Sequence, residues 1–128
     1  MDNRSEAQRW VKLAAMDFDS AEYLTGMYPV PIEIICYHCQ QSAEKHLKGF
    51  LVLHGVNPPK THDLDELNKL CLKFSAVFSD IADHCSDLTV YGVQPRYPMG
   101  LELDENDMKR ALLGAKVIHD LILSHESD

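Results

Sequence analysis

The chain has 128 residues, 45% of them hydrophobic and 25% charged, with a formal net charge of -8. That length suits a single domain, 1–128, able to bury a core. The acidic balance argues against a non-specific DNA coat or a binder of anionic membranes. No apolar run approaches the roughly 20 residues needed to span a bilayer. The start, MDNRSEAQRW, lacks the apolar segment of a secretory leader, so a cytoplasmic location without a membrane partner is expected.

Residues 3 to about 25 read as a first helix. Asn3 and Glu6 have the spacing of a capping box, and Ala7, Trp10, Ala14, Ala21 and Leu24 form an apolar stripe. Gly26 is expected to cap its C-terminus. Tyr28-Pro29-Val30-Pro31 makes a stiff link, with Pro31 suited to the first turn of the next helix.

The second helix, Ile32 to His54, carries the strongest helical pattern and stops at Gly55. Cys36, Cys39, Ala43, Leu47, Phe50 and Leu51 fall on one side. On a neighbouring side lie Gln41, Lys45 and Lys48, with Glu44 between them. Glu44 and Lys48 stand four residues apart, a pairing worth about 0.3–0.5 kcal/mol on an exposed helix. Asn57-Pro58-Pro59-Lys60 forces an extended loop.

A third helix is expected from Thr61 or Asp63 to about Phe78, and a shorter one from Asp80 to Thr89. Residues 91–100 hold two Pro and two Gly and read as a loop containing Arg96 and Tyr97. A last helix runs from about Glu105 to Ser124, capped by Asp104 or Asn106. Its inner face is Met108, Ala111, Leu112, Ala115, Ile118 (or Val117), Leu121 and Ile122. Strand-like alternation is missing and the connections are short. The fold class is therefore all-α, an up-and-down bundle of four main antiparallel helices plus one short helix.

The four cysteines are expected as reduced thiols in the core, including the Cys36/Cys39 C-x-x-C within the helical pattern. A metal site from His38, Cys39, His84 and Cys85 matches no zinc spacing, and no metal or cofactor is expected. A Gly-x-x-x-x-Gly-Lys loop is also missing, which argues against a nucleoside triphosphatase.

Three polar clusters occur in order. Gln41, Glu44, Lys45 and Lys48 spell Q-x-x-E-K-x-x-K, Thr61 to Leu64 spell T-H-D-L, and Arg96, Tyr97 and Pro98 spell R-Y-P. In this order and spacing the chain, from Ala14 to the last helix, resembles the HEPN family, the higher-eukaryote and prokaryote nucleotide-binding domains. The resemblance implies a helical bundle, commonly a homodimer, that works beside a small nucleotidyltransferase partner, often in a toxin–antitoxin or defence system. It implies nucleotide or RNA as ligand.

In that reading Lys45 and Lys48 supply charge to a phosphate, Arg96 a bidentate fork, Tyr97 a stacking face and Gln41 a base-edge contact. Glu44 orients Lys48, and His62 completes the set. The family's catalytic branch, metal-independent ribonucleases, carries Arg, four to six residues, then His. The arginines here, Arg4, Arg9, Arg96 and Arg110, have no His at that spacing, so ribonuclease activity would need a non-sequential pair such as Arg96 with His62. The other reading is a non-enzymatic interaction module that dimerises and regulates its partner, with these same residues at an interface.

Overall fold

The structure, a computed structural model, describes residues 2–92 and 102–125. Arg96 and Tyr97 lie outside the described residues. Every regular element among the described residues is helical: α1 (Asn3–Leu24), α2 (Ile32–Leu53), α3 (Leu64–Leu72), α4 (Ala82–Thr89) and α5 (Glu105–Ser124), with 3-10 helices at Ala76–Ile81 and Val90–Gly92.

Asp2, not Asn3, caps α1. Its backbone is extended and its carboxylate accepts from the Ser5 amide at 2.8 Å, which satisfies one of the orphan donors of the first turn. Gly26 is not a left-handed cap either. Thr25 ends α1 in a right-handed conformation, with its hydroxyl donating to the Glu22 carbonyl at 2.6 Å. The left-handed glycine is Gly55, at φ 81, just beyond α2. There the amides of Gly55 and Val56 return to the carbonyls of Val52 and Leu51 at 3.0 and 2.9 Å, the paired bonds of a Schellman turn.

The α2 apolar stripe is buried in full: Cys36, Cys39, Ala43, Leu47 and Leu51 are completely enclosed and Phe50 nearly so. This helix lies at the centre, packed by α1 along one side and by α5, α3 and α4 on others. Ala7 and Trp10 meet Gly49, and Asp17 meets Lys45 and His38. Rising numbers on α1 oppose falling numbers on α2, so the two run antiparallel. Gly49 permits their close approach, because a Cβ there would come 2.8 Å from the Trp10 Cβ. All four cysteines are free and buried. Burial pushes the Cys36 and Cys85 thiols up to about 12, and raises those of Cys39 and Cys71 further, so they act as apolar filler.

The third helix ends at Leu72 rather than Phe78. Ser75 turns extended at φ -157 and ψ 128, and a 3-10 helix then carries Phe78 and Ile81 into the core. Phe78 packs 4.5 Å, centroid to centroid, from the Phe50 ring. Its carbonyl accepts from the buried Asn68 amide at 3.0 Å. A straight continuation would have committed that face to Phe74, which is 43% exposed instead. Burying Phe78 and giving the Asn68 Nδ2 an acceptor outweigh the helical hydrogen bonds given up. Among the described residues the all-α bundle has three long α-helices, α1, α2 and α5, with the shorter α3 and α4 between α2 and α5. α5 matches its expected span, and Asp104 caps it in a reciprocal box with Asp107, each backbone N–H donating to the other's carboxylate at 2.9 Å.

Candidate functional site

The polar stripe of α2 is not a solvated face. Glu44 is 5% exposed and Lys48 9%: Gln40 and His62 bond Glu44, while Lys48 lies among residues of α1 and the loop at 57–60. The pairing distance is 3.0 Å from Lys48 Nζ to Glu44 Oε2. At this burial desolvation offsets much of the pair's attraction, but removing one partner is far more costly than at the surface.

The other carboxylate oxygen, Glu44 Oε1, lies 3.0 Å from His62 Nδ1 and accepts a second bond, at 3.2 Å, from Gln40 Nε2. Gln40 is fully buried. It also donates to the His62 carbonyl at 3.0 Å and accepts from Gln41 Nε2 at 2.9 Å. The Thr89 hydroxyl donates to that same carbonyl at 3.3 Å and accepts from the Leu64 amide at 2.9 Å, tying α4 to the start of α3. His62 is thus fixed by its backbone and by one ring nitrogen, while its side chain remains 69% exposed. With Nδ1 turned to the carboxylate, Nε2 is the nitrogen left for a ligand or a proton transfer.

This arrangement joins Gln41, Glu44, Lys48 and His62 from the candidate residues. It does not join Lys45, whose ammonium lies 2.6 Å from Asp17 Oδ2 on α1. The other oxygen of Asp17 is 3.0 Å from His38 Nδ1, which forms a second and separate cluster on the α1–α2 face. Among the described residues no group of three or more His, Cys, Asp or Glu side chains is placed to hold a metal ion.

Two features of the site escape the motif. Gln40 holds the cluster together, and its only sequence signal was its place four residues before Glu44. Gly92 is the other. It is buried, and a Cβ there would overlap the Gln40 amide. Gly92→Ala is expected to displace Gln40 and lose about 1–3 kcal/mol in urea unfolding, the usual cost of overpacking. Gln40→Ala should itself lose stability, since Glu44 and the His62 carbonyl lose a donor. Adding Gly92→Ala to it should then cost little more, because the overlap is gone. A Gly92→Ala protein as stable as the parent would show that Gln40 has room to move.

Fold and site together define a class: an all-α bundle presenting an exposed imidazole held by a buried carboxylate–ammonium pair. The HEPN domain model matches residues 7–125, and the chain belongs to the HEPN family. That membership supports a nucleotide- or RNA-related role. Among solved structures the chain is similar to TT1696 from Thermus thermophilus, with 21% identity and a TM-score of 0.81 over 93% of this chain and 97% of that one. It is also similar to ST0689, described as an archaeal HEPN homologue, with 23% identity and a TM-score of 0.76 over 94% of this chain and 98% of that one. At these identities the likeness is one of fold. No curated protein matches the sequence.

Proposed function

We propose that this chain is a nucleotide- or RNA-binding HEPN subunit, dimeric and cytoplasmic, that works with a nucleotidyltransferase-type partner in a toxin–antitoxin or defence setting. The observation that carries the reading is the Glu44–His62 pair. A carboxylate that is 5% exposed holds an imidazole that is 69% exposed, the disposition of a group kept ready for a ligand. In this reading Lys48 and Arg96 attract phosphate, Tyr97 stacks on a base, and His62 and Gln41 contact the ribonucleotide. Lys45 contributes from beside Asp17 as a positive edge. His62 with Arg96 would be the pair to test for cleavage.

The test is binding of a labelled short single-stranded RNA, with cleavage followed on gels. His62→Ala and Arg96→Ala are each expected to weaken binding about tenfold or more, the loss of one charge-assisted contact. RNA that binds neither the parent nor the variants would end this reading.

A different observation favours the interaction-module alternative. Leu13, Met16 and Tyr23, on the outer side of α1, are 50%, 59% and 85% exposed and recur at helical spacing. Such a stripe suits a subunit or partner interface. If RNA does not bind, a mass measurement of Met16→Glu and Tyr23→Glu proteins decides whether that face holds a dimer.

A further inference from the structure

Residues 13–44 include none of the chain's twelve Lys and Arg residues. They include five carboxylates, of which Asp17 is engaged by Lys45 and His38, and Glu44 by Lys48 and His62. Asp19, Glu22 and Glu33 are exposed, and among the described residues no cation pairs with them. The nearest Lys or Arg along α1, Lys12, is about 10 Å from Asp19 at 1.5 Å per residue.

The same stretch carries most of the exposed apolar surface. Of the twelve large hydrophobic side chains exposed among the described residues, seven lie between Leu13 and Ile34. Tyr23 at the end of α1 is 85% exposed, and Tyr28 in the following turn 94%. Met16, Asp19 and Tyr23 line a cleft of about 640 Å³. On its α2 side stands His38, whose ring Asp17 fixes at 3.0 Å. A large apolar patch with a polar border marks an interaction site.

We propose that the α1–α2 end of the bundle docks a basic amphipathic helix of another protein. This rests on the interaction-module reading and names the chemistry of the partner. Charge selects the occupant. In a two-fold contact centred on this patch, Asp19, Glu22 and Glu33 would meet their own counterparts, which disfavours a second copy. RNA and anionic membranes are repelled for the same reason. A segment with Lys or Arg beside its apolar residues meets opposite charge instead, and an ammonium or guanidinium over the Tyr23 ring adds a cation–π contact.

Shape selects the helix. Every regular element among the described residues is helical, so none offers a strand edge for an extended peptide to join. Met16, Ser20 and Tyr23 follow one side of α1 over about two turns. Apolar residues at i, i+3, i+4 and i+7 on a partner helix match that row, with its basic residues beside Asp19 and Glu22.

The probe is a fluorescein-labelled peptide of Leu and Lys, helical over about five turns, with its Leu/Glu counterpart as control. Anisotropy is read at physiological ionic strength, about 0.15 M. Saturable binding of the Leu/Lys peptide alone is expected. Asp19→Lys with Glu22→Lys should weaken it about tenfold or more, and so should Tyr23→Ser. Asp83→Lys with Asp87→Lys makes the same charge change on exposed positions of α4 and should leave binding as in the parent. All of these positions are exposed, so each variant should keep the parent's helical circular dichroism. No binding of the Leu/Lys peptide would overturn the proposal. So would equal weakening by the two charge reversals, which would mean attraction to the whole acidic chain. A parent dimer that Tyr23→Ser converts to monomer in sedimentation would also overturn it, because a second copy would then cover the face. The interaction-module reading would survive that last result and would fail only if neither peptide nor second copy engages this end.

Discussion

Replacing Glu44 with Ala is expected to cost about 3–5 kcal/mol in chemical denaturation, the range for breaking one side of a buried ion pair. The lost Coulomb attraction is the smaller part. The variant would leave the Lys48 ammonium, 9% exposed, without its partner, and would remove the acceptor shared by Gln40 and His62. Two companions identify the cause. Glu44→Gln keeps a carbonyl oxygen for the His62 ring and should lose less. Glu44→Leu combined with Lys48→Met removes both charges and should be far more stable than Glu44→Ala alone. A loss below about 1 kcal/mol for Glu44→Ala would mean that water reaches the pair and that it behaves as a surface bridge.

Acid should destabilise the fold through a different residue. His46 on α2 is fully buried, and its Nε2 lies 2.9 Å from Nδ1 of His119 on α5. Burial, with repulsion from His119 as a lesser cause, pushes His46 down from 6.5 to about 3. Its own Nδ1 is buried with no hydrogen-bond partner, so a proton there would find no acceptor. The Phe18 ring stacks on His119 with centroids 5.2 Å apart and closes the other side.

The folded pKa lies below the unfolded one, so the unfolded chain takes up the proton first. The contribution of His46 to stability is complete above pH 6.5 and is lost as pH falls towards 3. At about 1.4 kcal/mol per pH unit, roughly 2 kcal/mol should be gone by about pH 5. Urea midpoints measured across that range should fall steeply in the parent and much less in His46→Leu. Equal slopes in the two proteins would assign the acid sensitivity to other groups.

The candidate site was partly legible in the sequence. Glu44 and Lys48 could be named from their spacing and His62 from the motifs that resemble the family's, and the structure gathers them. Lys45 sits one residue beyond Glu44, yet that single step turns it about 100° around the helix, towards α1 and Asp17. The motif records which residues recur, not which neighbour each will meet. Gln40 and Gly92 were illegible for the same reason, since their fit depends on two segments far apart in the chain. His46 and His119, 73 residues apart, meet only after α5 packs on α2.

What the sequence by itself determined is the local part: helices with periodic apolar stripes, an α5 cap at Asp104 or Asn106, and the end of α2 before Gly55. Hydrogen bonds four residues apart and the 3.6-residue period act within one turn or two, so nearby residues suffice to specify them. Only the tertiary structure decided the rest. It broke α3 so that Phe78 could enter the core, and it converted the α2 polar stripe from a surface into a buried network. Both outcomes follow from desolvation. Whether a side chain loses its water depends on what packs over it, and that partner comes from a distant part of the chain.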